Sequence, residues 1–458
     1  MALDTRVDQE LENRPWHEAL FSGSAWWRRG IFILSAIAVG FAALIFNLWD
    51  RASVSFRAFL LDGQELFGLQ INESAGAGIA MGMAVVGMWI VMTLRDRYFP
   101  GTQGTGIPQV MASLDVDAED PLRRNMLSWR IALGKALLLF IGIFSGATIG
   151  REGPSVHVGA CIMYLTASWA RFPTWAIQRG LILAGGGAGI ACAFNAPIAG
   201  AVFAIEEIGR SFEKRNAGLI ILACAAGCTA CWVYLGDYLF YGRLDPSLTS
   251  PVQWLAIIPI AAVMGFLGGA FSRAVVAGTR WVNVNLRHHR VLVPMSLGLG
   301  LAGLGFFTGG LSYGSGYSEA FNILQHGTEM PIYYPFAKAA GNFISLVSGI
   351  PGGLFDPSFS VGASAGQLIA PWFPGIDPRS IIMLSMASYF TGVVRSPITS
   401  VVILLEMTAA RDMAMPLFMA CVISYEASRL IAKKPIYEAL AEIFLGDLRA
   451  GQKESQKG

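Results

Sequence analysis

A glutamate flanked by glycines stands in Gly150-Arg151-Glu152-Gly153-Pro154-Ser155, between two uncharged apolar runs. Proline is favoured at the first helical position, so the pattern predicts a helix started by Pro154 with Glu152 at its mouth. The N-terminus of a helix carries about half a positive charge from unpaired N–H groups, which makes it a site for anions. Ionised, Glu152 can fill such a site as a tethered anion; protonated, it can leave. One residue could thereby link anion movement to proton movement. Acids also occur in first helical turns for stability alone, and the motif by itself leaves both readings open. Two further segments have glycines followed by a proline near a helix-compatible run: Gly104-Thr105-Gly106-Ile107-Pro108 and Gly349–Pro357. Glycine lets backbone N–H groups approach a ligand closely. One helix end offers only about 1–2 kcal/mol to an anion, whereas stripping an ion of water costs on the order of 20 kcal/mol in the idealised limit. Several ends, with hydroxyls and residual water, must therefore converge on one ion.

The elements that could bring them together are membrane segments. The chain has 458 residues, 54% hydrophobic and 14% charged, with a mean hydropathy of +0.52. Uncharged runs recur at Ile31–Trp49, Ser74–Leu94, Gly180–Ile205, Asn216–Gly236, Pro246–Ser272 and Val291–Ser318. A spanning helix needs about 20 such residues, which predicts ten or more membrane segments, several of them short or broken. Broken helices at membrane depth are tolerated where protein buries them or where they line a cavity. A net charge of +2 carries no nucleic-acid signature. The first 29 residues mix acids and bases without an apolar stretch, so no cleaved signal peptide is expected. Arg28 and Arg29 before the first span, against Asp50 and Arg51 after it, put the N-terminus in the cytoplasm, and Trp26 and Trp27 suit an interfacial belt.

Cysteines 161, 192, 224, 228, 231 and 421 all lie in apolar segments, and the Cys228–Cys231 CxxC reads as helix packing. The histidines have no ligand spacing; His288 and His289 sit in a basic loop, Arg287–Arg290. No disulfide framework, metal site or cofactor is expected. No nucleophile with a base is legible, so an intramembrane enzyme using Glu152 or the Glu206–Glu207 pair is not expected.

The chain also resembles itself at an offset of about 200 residues. Pro154-Ser155-Val156-His157-Val158-Gly159-Ala160 parallels Pro357-Ser358-Phe359-Ser360-Val361-Gly362-Ala363, and Ala196-Pro197-Ile198 through Glu206 parallels Ser396-Pro397-Ile398 through Glu406. The organisation expected is a cytoplasmic N-terminal segment over 1–29, membrane halves over 30–240 and 250–445, and a cytoplasmic tail over 446–458 without CBS domains. Transporters built from repeats place their sites where the halves meet, at broken helix ends.

In this order and spacing the three Gly/Pro segments resemble the chloride channel (CLC) family of anion channels and proton-coupled exchangers, from about residue 30 to 448. The resemblance implies an all-α polytopic membrane protein with an inverted repeat, assembled as a homodimer with one pore per subunit. It also implies roles. Glu152 falls on the gating glutamate, and Gly353, Leu354 and Phe355 on the segment whose amides face the anion. Tyr437 falls on a tyrosine whose hydroxyl contacts that anion, and Thr105 on the usual serine. Lys135 matches a buried lysine near the pathway; snorkelling to an interface is its other reading. Glu207 falls on the internal proton-transfer glutamate of exchangers. Adjacent helical residues point about 100° apart, so Glu206 cannot share its path. Threonine at 105 keeps the hydroxyl and adds a methyl group, which puts strict chloride preference over nitrate or fluoride in question. Asp356 reads as an exposed first-turn acid outside the ion's approach.

These residues imply a secondary-active H⁺/anion exchanger, with chloride as the default anion, protons and the lipid bilayer as its partners, and a bacterial inner membrane as its place. A passive chloride channel on the same fold is the alternative.

Overall fold

The structure, a computed structural model, describes residues 23–63, 72–117, 120–170, 172, 179–210, 214–285, 289 and 291–455. The first 22 residues, most of the basic loop at 287–290, and the last three residues of the tail lie outside this set. The first repeat runs through α1 (Gly23–Leu61), α2 (Glu73–Tyr98), α3 (Ile107–Leu114), α4 (Pro121–Met126), α5 (Trp129–Phe144), α6 (Glu152–Trp169), α7 (Leu181–Phe194), α8 (Pro197–Phe203) and α9 (Lys214–Leu235). The second runs through α10 (Pro251–Leu255), α11 (Ile257–Asn285), α12 (Leu292–Phe307), α13 (Tyr317–His326), α14 (Tyr334–Val347), α15 (Phe355–Ile369), α16 (Pro378–Val394), α17 (Pro397–Thr408) and α18 (Ala414–Arg429). The chain ends in α19 (Ile436–Ser455).

Among the described residues, five helical stretches are long and apolar enough to cross a bilayer: Trp26–Leu61, Glu73–Tyr98, Pro121–Phe144, Asn216–Leu235 and Pro251–Asn285. As the sequence predicts, some of the apolar runs are divided. The Gly180–Ile205 run becomes α7 and α8, separated by Asn195 in the left-handed region at φ 54° and restarted by Pro197. Its repeat partner breaks the same way, at Arg395 with φ 67° before Pro397. A left-handed residue followed shortly by proline is a helix stop and restart.

Every residue of α7 is buried, and so is nearly every residue of α16. A helix apolar all round belongs in the interior. Small residues let it pack there. A Cβ on Gly185 would sit 2.3 Å from the Gly159 carbonyl oxygen, and one on Gly159 would sit 2.3 Å from that of Gly185. The backbones of α6 and α7 therefore touch directly. The α15 and α16 pair repeats this, since a Cβ on Gly362 would fall 2.6 Å from the Met386 Cα. Close approach through small residues is how helices associate where lipid removes the hydrophobic drive.

The repeat is inverted, and its halves meet at their broken ends. Gly150 and Gly353 form an isolated antiparallel bridge, with N–H···O distances of 2.9 and 2.6 Å. Gly104 N–H donates to the Gly349 carbonyl at 3.0 Å. Further out, the carboxylate of Glu206 accepts from the Ile398 and Thr399 amides at the start of α17, while that of Glu406 accepts from the Ile198 and Ala199 amides at the start of α8. Each half caps a helix of the other.

Candidate functional site

Glu152 is the first helical residue of α6, with Arg151 as its N-cap, so Pro154 sits in the first turn and does not start it. The sequence expectation is corrected by two residues, and the reason is that the Gly150–Gly353 bridge fixes the chain just before the helix. The carboxylate does not point into solvent. It is fully buried, and Oε1 accepts from the Asp356 amide at 3.2 Å, in the first turn of α15. A side-chain carboxylate thus occupies the N-terminus of the opposing repeat's helix, where dipole and free amides favour negative charge. Only glycines allow this. A Cβ on Gly353 would lie 2.0 Å from Glu152 Oε2, and one on Gly150 would lie 2.2 Å from it.

Phe355 begins α15 and Leu354 is its N-cap, both fully buried. The Phe355 ring lies among Phe194, Phe203 and Phe390, at centroid distances of 5.8, 5.6 and 4.6 Å. That aromatic cluster pins the helix start. Gly353, expected among the amides facing an anion, has its N–H committed to the Gly150 carbonyl. Its part is to hold the two breaks together, which leaves the Leu354 and Phe355 amides as the available donors.

Thr105 is buried, and its hydroxyl has no hydrogen-bond partner in the protein. Gly106, at φ 94°, caps α3 directly after it, a conformation that glycine adopts without strain. A Cβ on Gly153 would come within 2.5 Å of the Thr105 carbonyl oxygen, so this loop abuts the start of α6. Lys135, fully buried in α5, donates from Nζ to the carbonyls of Thr102 at 2.7 Å, Gln103 at 3.4 Å and Gly104 at 2.8 Å. It does not snorkel. By gathering three carbonyls on one side it sets the orientation of the loop that carries Thr105. The same loop borders a cavity of about 420 Å³, lined by Thr105 together with Arg95, Gly349, Phe444 and Asp447.

Tyr437, the second residue of α19, is fully buried, and its hydroxyl also lacks a protein partner. α19 packs on α3, and the tyrosine is within electrostatic range of both Glu152 and Glu207. Leaving a buried hydroxyl unbonded costs about 1–3 kcal/mol by mutational scales. Two such donors, Thr105 and Tyr437, suit an anion that accepts from both.

Glu207 and Glu206 lie in a π-helical turn, Ala204–Gly209, that continues α8. Such turns are rare and occur frequently at functional sites. They send the neighbouring acids apart, as the helical geometry requires. Glu206 turns outward to cap α17, whereas Glu207 is buried and accepts a hydrogen bond from the Ser396 hydroxyl. Close to Glu207, Arg210 pairs with Glu438 at 3.2 Å in a partly exposed ion pair.

The sequence reading missed two features. Asp356 is fully buried beside Glu152, not exposed, because α15 starts against the Gly150–Gly353 bridge. The repeat could have signalled this, since Asp356 corresponds to Gly153, one residue from Glu152. Lys338 is the other. Fully buried in α14, it donates to the Tyr313 carbonyl at 2.9 Å and reaches those of Ser312 and Gly314, repeating Lys135 and its loop.

Residues 81–429 match the family described as voltage gated chloride channel. A relative named H(+)/Cl(-) exchange transporter ClcA, from Yersinia pestis bv. Antiqua (strain Angola), is 27% identical over 381 residues, covering 78% of this chain and 75% of its own. The crystal structure of a slow cyanobacterial Cl⁻/H⁺ antiporter superposes with a TM-score of 0.76 at 22% identity, over 91% of this chain and 97% of its own. A CLC-type fluoride/proton antiporter gives 0.74 at 21% identity, over 89% and 97%.

Proposed function

The chain belongs to the voltage-gated chloride channel family, and from that premise we propose that it is a secondary-active exchanger of chloride for protons. The observation that carries the reading is the pair of buried carboxyls, Glu152 and Glu207, with the unpaired Tyr437 hydroxyl in electrostatic range of both. The anion would be held by the hydroxyls of Thr105 and Tyr437 and the amides of Leu354 and Phe355. Glu152 would alternate between occupying the anion's place and carrying a proton. An ionised Glu152 and a bound anion repel, so protonation and anion entry favour each other. Glu207, tied to Ser396 near the Arg210–Glu438 pair, would pass protons to the cytoplasmic face. Lys135 would act indirectly, by holding the Thr105 loop.

Chloride is the anion favoured, because Tyr437 and a hydroxyl at 105 are both present and the ClcA relative carries chloride in its name. Nitrate or fluoride preference is the competing outcome. The membrane halves would run over 30–240 and 250–445, flanked by cytoplasmic segments, in a bacterial inner membrane.

Two copies would assemble through α8 and α17. The reciprocal caps place Glu206 and Glu406 around the axis relating the inverted halves, which in such repeats lies in the membrane plane. Carboxylates at that depth are costly against lipid. Beside them Ile198 and Ile398 are 62% and 51% exposed, so a second copy presenting the same face would cover both acids and isoleucines.

The test of function is reconstitution of the purified protein in liposomes with chloride and pH recorded together. A chloride gradient should drive protons uphill; an unchanged pH during chloride flux would make the protein a passive channel.

A further inference from the structure

Of the buried ionisable groups that the exchange reading leaves unused, Asp356 is the one built into its centre. It is fully buried, and neither carboxyl oxygen has a hydrogen-bond partner in the protein. Its amide already holds Glu152 Oε1 at 3.2 Å, which brings the two carboxyls next to each other at the start of α15. Glu152 Oε2 is likewise unpartnered.

The charges nearby make that proton necessary. The groups facing Asp356 are Glu152 and Arg151 at the start of α6, Asp50 on α1, Tyr241 in the segment before α10, and Tyr317 on α13. Arg151 is the one cation among them. Its Nη1 is bonded to Asp50 Oδ2 at 2.6 Å, and its guanidinium also lies over the Phe240 ring at 5.5 Å. One guanidinium, already paired, stands against three buried carboxyls. Two ionised carboxylates side by side in such a site repel strongly, and a shared proton relieves them.

With the N-terminus in the cytoplasm, as the Arg28–Arg29 charge bias implies, Asp50 falls on the outer side. It lies roughly 35 Å along α1 from Trp26 and Trp27 at the helical rise of about 1.5 Å per residue. The cavity beside Thr105 is lined with Arg95 and Asp447 and includes neither Glu152 nor Asp356 in its wall.

We propose that Asp356 and Glu152 form a carboxyl pair holding one proton at the outer end of the anion path, through which external protons reach Glu152. The step is a simple transfer. The Asp356 carboxylic acid gives its proton to the Glu152 carboxylate, Asp356 becomes the carboxylate, and a proton from external water restores it. Neutral Glu152 then leaves the amide of Asp356 and vacates the anion's place. The Tyr241 hydroxyl, buried and unpartnered beside Asp356, is the adjoining group on that route. This rests on the exchange reading above.

The test uses the purified full chain in liposomes, with chloride and proton fluxes measured across a pH series for wild type, Asp356→Asn and Asp356→Glu. Asparagine keeps the size and the backbone donor of residue 356 and removes the carboxyl. It should cut proton flux about tenfold and move the pH profile about one unit toward acid, because Glu152 loses the partner that shares its proton. Glutamate should restore most of both. A merely structural Asp356 would leave the asparagine profile superposed on that of wild type, and this overturns the proposal. Restoration of nothing by glutamate together with loss of all anion flux, both from Asp356→Asn and from Asp356→Asn combined with Glu152→Ala, also overturns it. Wild type that moves no protons uphill sinks the exchange reading instead, and the two failures are told apart by that control.

Discussion

At the scale of single residues, the site depends on which groups can change charge and which can only donate. The Glu152 carboxylate is seated at the N-terminus of α15, so removing it should separate the two fluxes. Glu152→Ala should abolish uphill proton movement in liposomes while chloride still passes, since the amides of Leu354 and Phe355 and both hydroxyls remain. Proton pumping that persists would take the gating role from Glu152. Glu207→Gln preserves the Ser396 contact and removes the ability to carry a proton, so proton flux should fall with chloride flux retained; electrode traces equal to wild type would contradict this. Thr105→Val keeps the shape of the side chain and deletes its donor. A hydrogen bond to a charged acceptor is worth about 1.5–3 kcal/mol, so chloride affinity measured by titration calorimetry should weaken at least about tenfold. An unaltered isotherm would place the anion elsewhere. Gly/Pro punctuation and the repeat singled out the segments that carry Thr105, Glu152 and Phe355, whereas Tyr437 came from the family resemblance alone. Asp356 was misjudged because an acid in a first helical turn looks solvent-exposed unless the partner helix end is known to cover it.

At the scale of elements, the breaks in the helices are held open by buried cations and by carboxylate caps from the opposite half. Lys135 and Lys338 perform the same task in the two repeats, each satisfying carbonyls of a Gly-rich loop. Only the first of these loops carries a side chain of the proposed anion site. Replacing either lysine with methionine leaves buried carbonyls without a donor, at about 1–3 kcal/mol each. Both variants should lower the thermal unfolding midpoint in detergent, yet Lys135→Met alone should reduce chloride flux strongly relative to the folded fraction. Equal loss of flux from Lys338→Met would show that the lysines serve stability only. This pairing was hard to see in one dimension. The lysines sit about 200 residues apart within helices, whereas the loops they serve precede them by different lengths of chain, so the correspondence emerges only when both packings are present. The π turn at Ala204–Gly209 was hidden for a related reason: apolar periodicity continues the helix through it, and the divergence of Glu206 and Glu207 is what an ordinary α-helix would give as well.

At the scale of the whole molecule, the composition and the repeat announced a two-half membrane protein of broken helices, and the family resemblance added their inversion, but neither told which outward face meets lipid. Exposed apolar residues cover the surface almost everywhere, from Leu34 on α1 to Phe336 on α14, and apolarity alone distinguishes nothing in a bilayer. The face of α8 and α17 differs by carrying two carboxylates engaged across the repeat axis next to Ile198 and Ile398. An isologous contact doubles every substitution, because each copy presents the same patch to the other. Introducing lysine at both Ile198 and Ile398 would therefore bring four charges into the proposed interface. Single-molecule photobleaching of labelled protein in liposomes should show two steps for wild type and predominantly one for the double variant. Since each subunit carries all of Thr105, Glu152, Phe355 and Tyr437 within its own fold, the monomeric variant should still exchange chloride for protons. Two-step bleaching retained after both substitutions would move the interface to another face, and exchange lost along with the dimer would mean that the path is completed by the second copy.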